Sequence, residues 1–214
     1  MRAEYLLKSK MGFYSENILP YLLDWSLNDS HLALHRREIL SDVKGKVLEI
    51  GFGTGLNLPY YPKSLDAIAT VDVNSQIMRL AQKRIQASTI EVNCQVLNGE
   101  NLPMKNNTFD SVVSTFTLCS IDNVEGALSE IYRVMKPGGK FFFLEHGLSN
   151  ESTIQVWQNR LTPIQKAIAG GCYLNRNIKQ IVEAQFDTVS LQELYAEHLP
   201  KILAYLYKGI AVKK

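Results

Sequence analysis

The sequence predicts an α/β chain built on a doubly wound, mostly parallel sheet, and three observations carry that prediction. Short apolar runs alternate with amphipathic stretches between residues 46 and 145, the order in which helical crossovers join parallel strands. The first run, Val47-Leu48-Glu49-Ile50, leads directly into a loop with glycine at 51, 53 and 55, where a strand can turn sharply and backbone N–H groups can approach a ligand. Residues 140–145 read Lys-Phe-Phe-Phe-Leu-Glu, the continuous apolar pattern of a strand buried on both faces.

Each element follows from a local signal. Residues 13–40 read as one or two amphipathic helices, with Ile18, Leu19, Leu22, Leu23 and Leu27 at helical spacing and a break near Asn28, Asp29 and Ser30. Strand one covers 46–50, and Pro59 and Pro62 keep any helix after the glycine loop short. Strand two lies within 65–73 and ends at Asp72; a helix over 75–87 is expected to be capped by Ser75. Strand three covers 91–97 and strand four lies within 108–116. The helix over 123–135 places Val124, Leu128, Ile131, Val134 and Met135 on one face and stops at Pro137-Gly138-Gly139. After strand five at 140–145, residues 150–185 are largely helical. Two late strands, 188–196 and 204–212, flank His198-Leu199-Pro200 and read as an antiparallel hairpin at a sheet edge.

Bulk properties bound the rest. A chain of 214 residues is expected to form a single domain: a helical cap at 1–40, a ligand-binding core at 41–148, and a helix with a C-terminal β-hairpin at 149–214. The net charge is +2 and the basic residues are scattered, so nucleic acid is not expected as a substrate. Three cysteines without a C-x-x-C pair fit a reducing, cytoplasmic setting. Arg2, Glu4, Lys8, Lys10, Glu16 and Asp24 interrupt the N-terminal apolar runs, well short of the ~18 residues of a membrane span, and no signal peptide is expected.

The glycine loop narrows the ligand. A dinucleotide fingerprint needs a glycine where Leu56 stands. The pattern present, Glu49-x-Gly51-x-Gly53-x-Gly55, resembles motif I of the Rossmann-like class of S-adenosylmethionine-dependent methyltransferases. Asp72, the stretch Asn98-Gly99-Glu100-Asn101-Leu102-Pro103, Phe109-Asp110-Ser111-Val112-Val113 and Lys136-Pro137-Gly138-Gly139 follow in that family's order. The resemblance implies a seven-stranded sheet with a reversed C-terminal strand and S-adenosylmethionine as cofactor. It implies cofactor contacts from Glu49, Gly51, Gly53, Gly55, Asn57, Asp72, Val73, Asn98, Gly99, Glu100 and Thr115. Asp72 is then expected to accept hydrogen bonds from ribose hydroxyls, and Asn98, where aspartate is frequent in the family, to lie beside the adenine. Leu56-Asn57-Leu58-Pro59-Tyr60-Tyr61-Pro62, Thr117-Leu118-Cys119-Ser120, Leu144-Glu145-His146 and Gly170-Gly171-Cys172 resemble the methyltransferase-like family that includes the alkyl thiol methyltransferases of animals. That similarity runs from about Met11 to the end.

Methyl transfer from a sulfonium is an in-line displacement, so the protein chiefly holds nucleophile and methyl ~3–3.5 Å apart and dry. His146, just after strand five, falls on the ligand edge of the sheet and is the candidate base or substrate contact. Cys119 and Cys172 read as small apolar residues and Cys94 as core. His31 and His35 stand at i, i+4, but no third ligand is evident, so no metal site is expected. Phe13, Ile18, Leu19, Leu22, Leu23 and Trp25 are expected to line a lid over the substrate, or to make a peripheral contact with lipid. The function expected is methyl transfer to a small, apolar acceptor, a thiol among the candidates. Two alternatives stay open: a nicotinamide-dependent oxidoreductase, against which Leu56 and the late hairpin weigh, and a non-catalytic cofactor-binding module.

Overall fold

Every segment read above as a strand becomes one. In the computed structural model, which describes Tyr14, residues 17–197 and residues 199–214, β1 (Val47–Ile50), β2 (Ala67–Asp72), β3 (Glu91–Val96), β4 (Phe109–Thr115) and β5 (Met135–His146) pair in parallel. β6 (Thr188–Tyr195) pairs antiparallel with β7 (Tyr205–Val212), and β7 antiparallel with β5. One seven-stranded sheet results, ordered β3-β2-β1-β4-β5-β7-β6. The order reverses at β1, flanked by β2 and β4, and a ligand crevice belongs beyond the carboxyl ends of those strands.

The sheet is covered on both faces, as a parallel sheet must be. Period-two alternation splits β5 between the layers. Phe141 and Phe143 pack with Leu128, Ile131, Ile178 and Val182, whereas Phe142 and Leu144 pack with Leu32, Ile39 and Leu40. The first layer comes from α4 (Val124–Val134) and α6 (Ile178–Gln185). The second comes from α1 (Leu19–Leu27), α2 (Ser30–Leu40) and α3 (Ser75–Ala87). The chain also forms α5 (Ser152–Ile168) and a short helical turn, α7 (Lys201–Ala204). On β7, Gly209 faces Phe143, and a Cβ there would come within 2.6 Å of that ring, so the reversed strand seats only because the position lacks a side chain.

Local signals explain most boundaries. The break between α1 and α2 falls at Asp29, whose carboxylate accepts from the N–H groups of His31 (2.8 Å) and Leu32 (3.2 Å), a side-chain N-cap. Only a 3-10 turn, Leu58–Tyr60, follows the glycine loop, with Pro59 in it. Two expectations need correction. α3 is capped by Asn74, which accepts from Gln76 and Ile77 while holding an extended backbone; Ser75 is already helical. β5 begins at Met135, not after the Pro-Gly-Gly turn. Met135 pairs with Phe109, the register shifts, and pairing resumes at Lys140 opposite Ser111. Phe13 and His198 lie outside the described residues.

Candidate active site

A cavity of about 570 Å³ opens beyond the carboxyl ends of β1, β2, β4 and β5, where the switch in strand order predicts it. Its floor is the glycine loop. Gly51 (φ 72°) donates to the Val71 carbonyl at 2.8 Å, and any side chain there would drive into Thr117 on the loop after β4. Gly53 (φ 57°) has nothing nearer to a Cβ than 4.0 Å, leaving its face open to the cavity. Gly55 points elsewhere, toward Phe52, Leu58 and Ala81, and does not line the cavity.

Glu49 stands behind the loop. It is 1% exposed and outside the lining, and its two oxygens accept from Asn57 Nδ2 (2.7 Å) and Tyr61 OH (2.8 Å). Burial pushes its carboxyl up to about 7, against the opposing pull of those hydrogen bonds and of Arg36. Asn57 Nδ2 also reaches Thr115 Oγ1 at 3.0 Å, so the acid orients two groups that do line the cavity. The Asn57 Oδ1 is buried without a hydrogen-bond partner.

Asp72 ends β2 at the cavity edge. One oxygen accepts from Gly53 N–H and the other from Asn74 N–H, both at 2.8 Å, and burial raises its pKa. A carboxylate has about four acceptor positions, so two remain for a ligand. Val73, Asn98, Gly99 and Glu100 continue the wall. Asn98 Oδ1 accepts from Glu100 N–H at 3.0 Å, which orients its amide, and Glu100 in turn accepts from Asn123 N–H at 3.1 Å.

The opposite end is built differently. His146 closes β5 and is 7% exposed; its Nδ1 lies 3.6 Å from Cys172 Sγ and its Nε2 is buried with no partner. Cys119 is buried beside them, and all three residues line the cavity. Glu145, fully buried, accepts from Ser114 Oγ (2.7 Å) and Thr117 N–H (2.9 Å), locking the loop that carries Cys119.

Of the apolar residues expected to line a lid, Leu23 of α1 borders the cavity, joined by Leu27; Leu19 is buried outside the lining, Trp25 is 81% exposed, and Ile18 and Leu22 are also turned outward. The roof is pinned by residues the sequence reading passed over. Arg84 pairs with Asp24 of α1 at 2.7 Å and donates to the Thr54 carbonyl of the glycine loop at 3.1 Å. Arg36, 3% exposed, lines the cavity, donates to the Leu27 carbonyl at 3.0 Å, and stacks over Phe116; burial lowers its pKa to about 10. His31 and His35 are engaged away from any cluster, with Glu197 (3.2 Å) and Glu38 (3.7 Å) respectively. Among the described residues, the three-residue group with metal-ligand spacing is instead Cys119, His146 and Cys172. No helix among the described residues is long and apolar enough to cross a membrane.

Comparison with known proteins agrees with this geometry. The family described as methyltransferase domain matches residues 48–143, the segment from β1 through Phe143. Thiol S-methyltransferase TMT1B of Rattus norvegicus is 34% identical over 189 residues, covering 81% of this chain and 77% of the relative. Thiol S-methyltransferase TMT1A of Homo sapiens is 32% identical over 199 residues, covering 86% and 81%. A crystal structure of an S-adenosylmethionine-dependent methyltransferase from Thermotoga maritima superposes with a TM-score of 0.68 at 22% identity, over 95% of this chain and 100% of that one. These matches set aside the nicotinamide alternative. The chain belongs to the S-adenosylmethionine-dependent methyltransferases, in the family that includes the thiol S-methyltransferases.

Proposed function

We propose that this chain transfers the methyl group of S-adenosylmethionine to the sulfur of a small, apolar thiol. The observation that carries the reading is a single cavity with two chemically different ends. One end has an open glycine face and a carboxylate with acceptor positions to spare. The other has apolar walls, two thiols and an imidazole. In this reading the donor's amino-acid end lies along the loop at Gly51 and Gly53, its ribose meets Asp72, and its adenine borders Asn98, Gly99 and Glu100. In the same reading the donor's amine meets Asn57, which borders the cavity and whose Oδ1 lacks a hydrogen-bond partner. The names of the relatives support a thiol acceptor.

Bound there, S-adenosylmethionine supplies a methyl carbon made electrophilic by the sulfonium charge. The chain's own residues position, dry and polarise. Leu23, Leu27 and Leu206 border the cavity with apolar surface, which keeps water from competing with the nucleophile. Holding the two sulfurs in line is the main catalytic contribution. A thiol of pKa ~8.5 is already partly ionised at neutral pH, so a positive potential suffices, and the buried Arg36 guanidinium contributes one. His146 supplies a polar contact at the acceptor end. The acceptor sulfur takes the methyl as that carbon's bond to the donor sulfur breaks; a thioether and S-adenosylhomocysteine result, and the thiol proton leaves to solvent. Three free cysteines support a reducing, cytoplasmic setting.

A labelled-methyl assay over alkyl thiols, phenols, amines and lipids tests the acceptor. Alkyl thiols are expected to show the highest kcat/KM, and transfer confined to amines or phenols would refute the thiol reading. Calorimetry with S-adenosylhomocysteine tests the donor site separately. For Gly51→Ala, the left-handed backbone costs about 1–2 kcal/mol and the collision with Thr117 about 1–3 kcal/mol more. We expect S-adenosylhomocysteine affinity in this variant to fall at least about tenfold; unchanged affinity would place the donor away from the loop.

A further inference from the structure

We propose that Cys119, His146 and Cys172 form a Cys2His site for one thiophilic divalent cation, Zn2+ foremost, with its fourth coordination position open to the acceptor end of the cavity. The ligand atoms of the three side chains lie within 4.8 Å of one another. With Zn–S of about 2.3 Å and Zn–N of about 2.0–2.1 Å, tetrahedral coordination sets a sulfur and a nitrogen ligand about 3.5–3.6 Å apart. Cys172 Sγ and His146 Nδ1 are 3.6 Å apart. The soft donor set selects zinc-like ions over magnesium or calcium.

The cluster is built by three separate segments that the backbone ties together. Cys119 lies on the turn after β4, and His146 is the last residue of β5. Cys172 follows α5, where Gly170 (φ 62°) and Gly171 (φ 90°) reverse the chain. Tyr173 N–H donates to the Cys119 carbonyl at 2.9 Å, holding the two cysteine turns side by side. A Cβ on Gly171 would come within 3.2 Å of the Ser120 carbonyl oxygen, so the approach depends on that glycine.

The imidazole is the second indication. It is 7% exposed, its Nε2 has no partner, and its Nδ1 has only the long contact with Cys172. A cation at Nδ1 would give that nitrogen the strong partner it lacks; the buried Nε2 is a separate orphan that coordination through Nδ1 leaves unchanged. Two coordinating thiolates carry the negative charge that neutralises a dication. Three protein ligands with one open position are the pattern of catalytic rather than structural zinc. Resting on the thiol reading above, the open position would take the acceptor sulfur as a thiolate, its proton passing to solvent. The cation site itself does not depend on that reading.

The test loads the purified chain with Zn2+ in reducing buffer, desalts it, and measures metal per chain by mass spectrometry. One Zn2+ per chain is expected in the parent, lost in Cys119→Ser and Cys172→Ser while calorimetry still detects S-adenosylhomocysteine binding. Co2+ in place of Zn2+ should give tetrahedral visible bands and a sulfur-to-cobalt charge-transfer band, a readout that keeps the proposal falsifiable if a variant does not fold. Absence of metal, an octahedral cobalt spectrum, Zn2+ retained by Cys172→Ser, or a Cys119–Cys172 disulfide persisting in reducing buffer would each overturn it. S-adenosylhomocysteine binding without the cation removes the metal site and leaves the methyltransferase reading standing; the cation without S-adenosylhomocysteine does the reverse.

Discussion

Glu49→Ala is expected to lower the stability of the fold by about 3–5 kcal/mol, the size of effect seen when buried charged and hydrogen-bonded groups lose their partner. The substitution leaves Tyr61 OH without its acceptor and Asn57 Nδ2 with Thr115 Oγ1 alone, both in buried surroundings, and removes the carboxylate that favours the charge of Arg36. In a chain of 214 residues, that loss lowers the thermal midpoint by on the order of 10 °C. Urea unfolding measures it directly, and a change below about 1 kcal/mol would mean that Glu49 holds nothing in place. Glu49→Gln isolates the charge. Burial raises the folded-state pKa to about 7 from an ordinary value of 4.5. A raised folded pKa stabilises fully below pH 4.5, and its contribution is lost as pH climbs through 7. The stability advantage of the parent over Glu49→Gln should therefore shrink across that window, by on the order of 3 kcal/mol. A difference that stays flat with pH would refute the buried titration.

Much of this architecture was legible because the signals are local. Alternation of apolar runs defines β1 to β5, the triple phenylalanine of 141–143 announces a strand covered on both faces, and Asp29 marks the break between α1 and α2. What escaped depends on contacts far apart in sequence. Arg84 and Asp24 are 60 positions apart, and no periodicity links them. Trp25 and Leu23 look alike in a hydrophobic pattern, yet one is exposed and the other lines the cavity; only the neighbours of α1 decide which. The helix N-cap fell on Asn74 rather than Ser75 because a cap is defined by its extended backbone, which adjacent cap-forming residues do not distinguish. The metal-spaced group was missed for the same reason as the arginines. His146 and Cys172 are 26 positions apart, so a search for ligands within one helix turns to His31 and His35. Glu49 was grouped with residues that contact a ligand, whereas its side chain faces Asn57 and Tyr61 behind the loop.

Asp72→Ala should weaken S-adenosylhomocysteine binding by about 10–150-fold, the equivalent of about 1.5–3 kcal/mol for hydrogen bonds to a charged acceptor. The structure adds a complication that the test must separate. Asp72 accepts from Gly53 N–H and Asn74 N–H, so its removal loosens the glycine loop as well as any ribose contact. Measuring affinity for S-adenosylhomocysteine and for an analogue lacking one ribose hydroxyl, in both parent and variant, divides the two effects. A direct carboxylate–ribose bond makes the parent prefer the hydroxylated ligand and leaves the variant nearly indifferent, giving a coupling energy on the order of 1 kcal/mol or more. Loop loosening alone weakens both ligands equally in the variant, with no coupling. Equal affinity of parent and variant for S-adenosylhomocysteine would remove Asp72 from the site altogether. Because burial raises the Asp72 pKa, the same preference should fade on acidification at a higher pH than for an exposed aspartate, as protonation takes away the acceptor that distinguishes the two ligands.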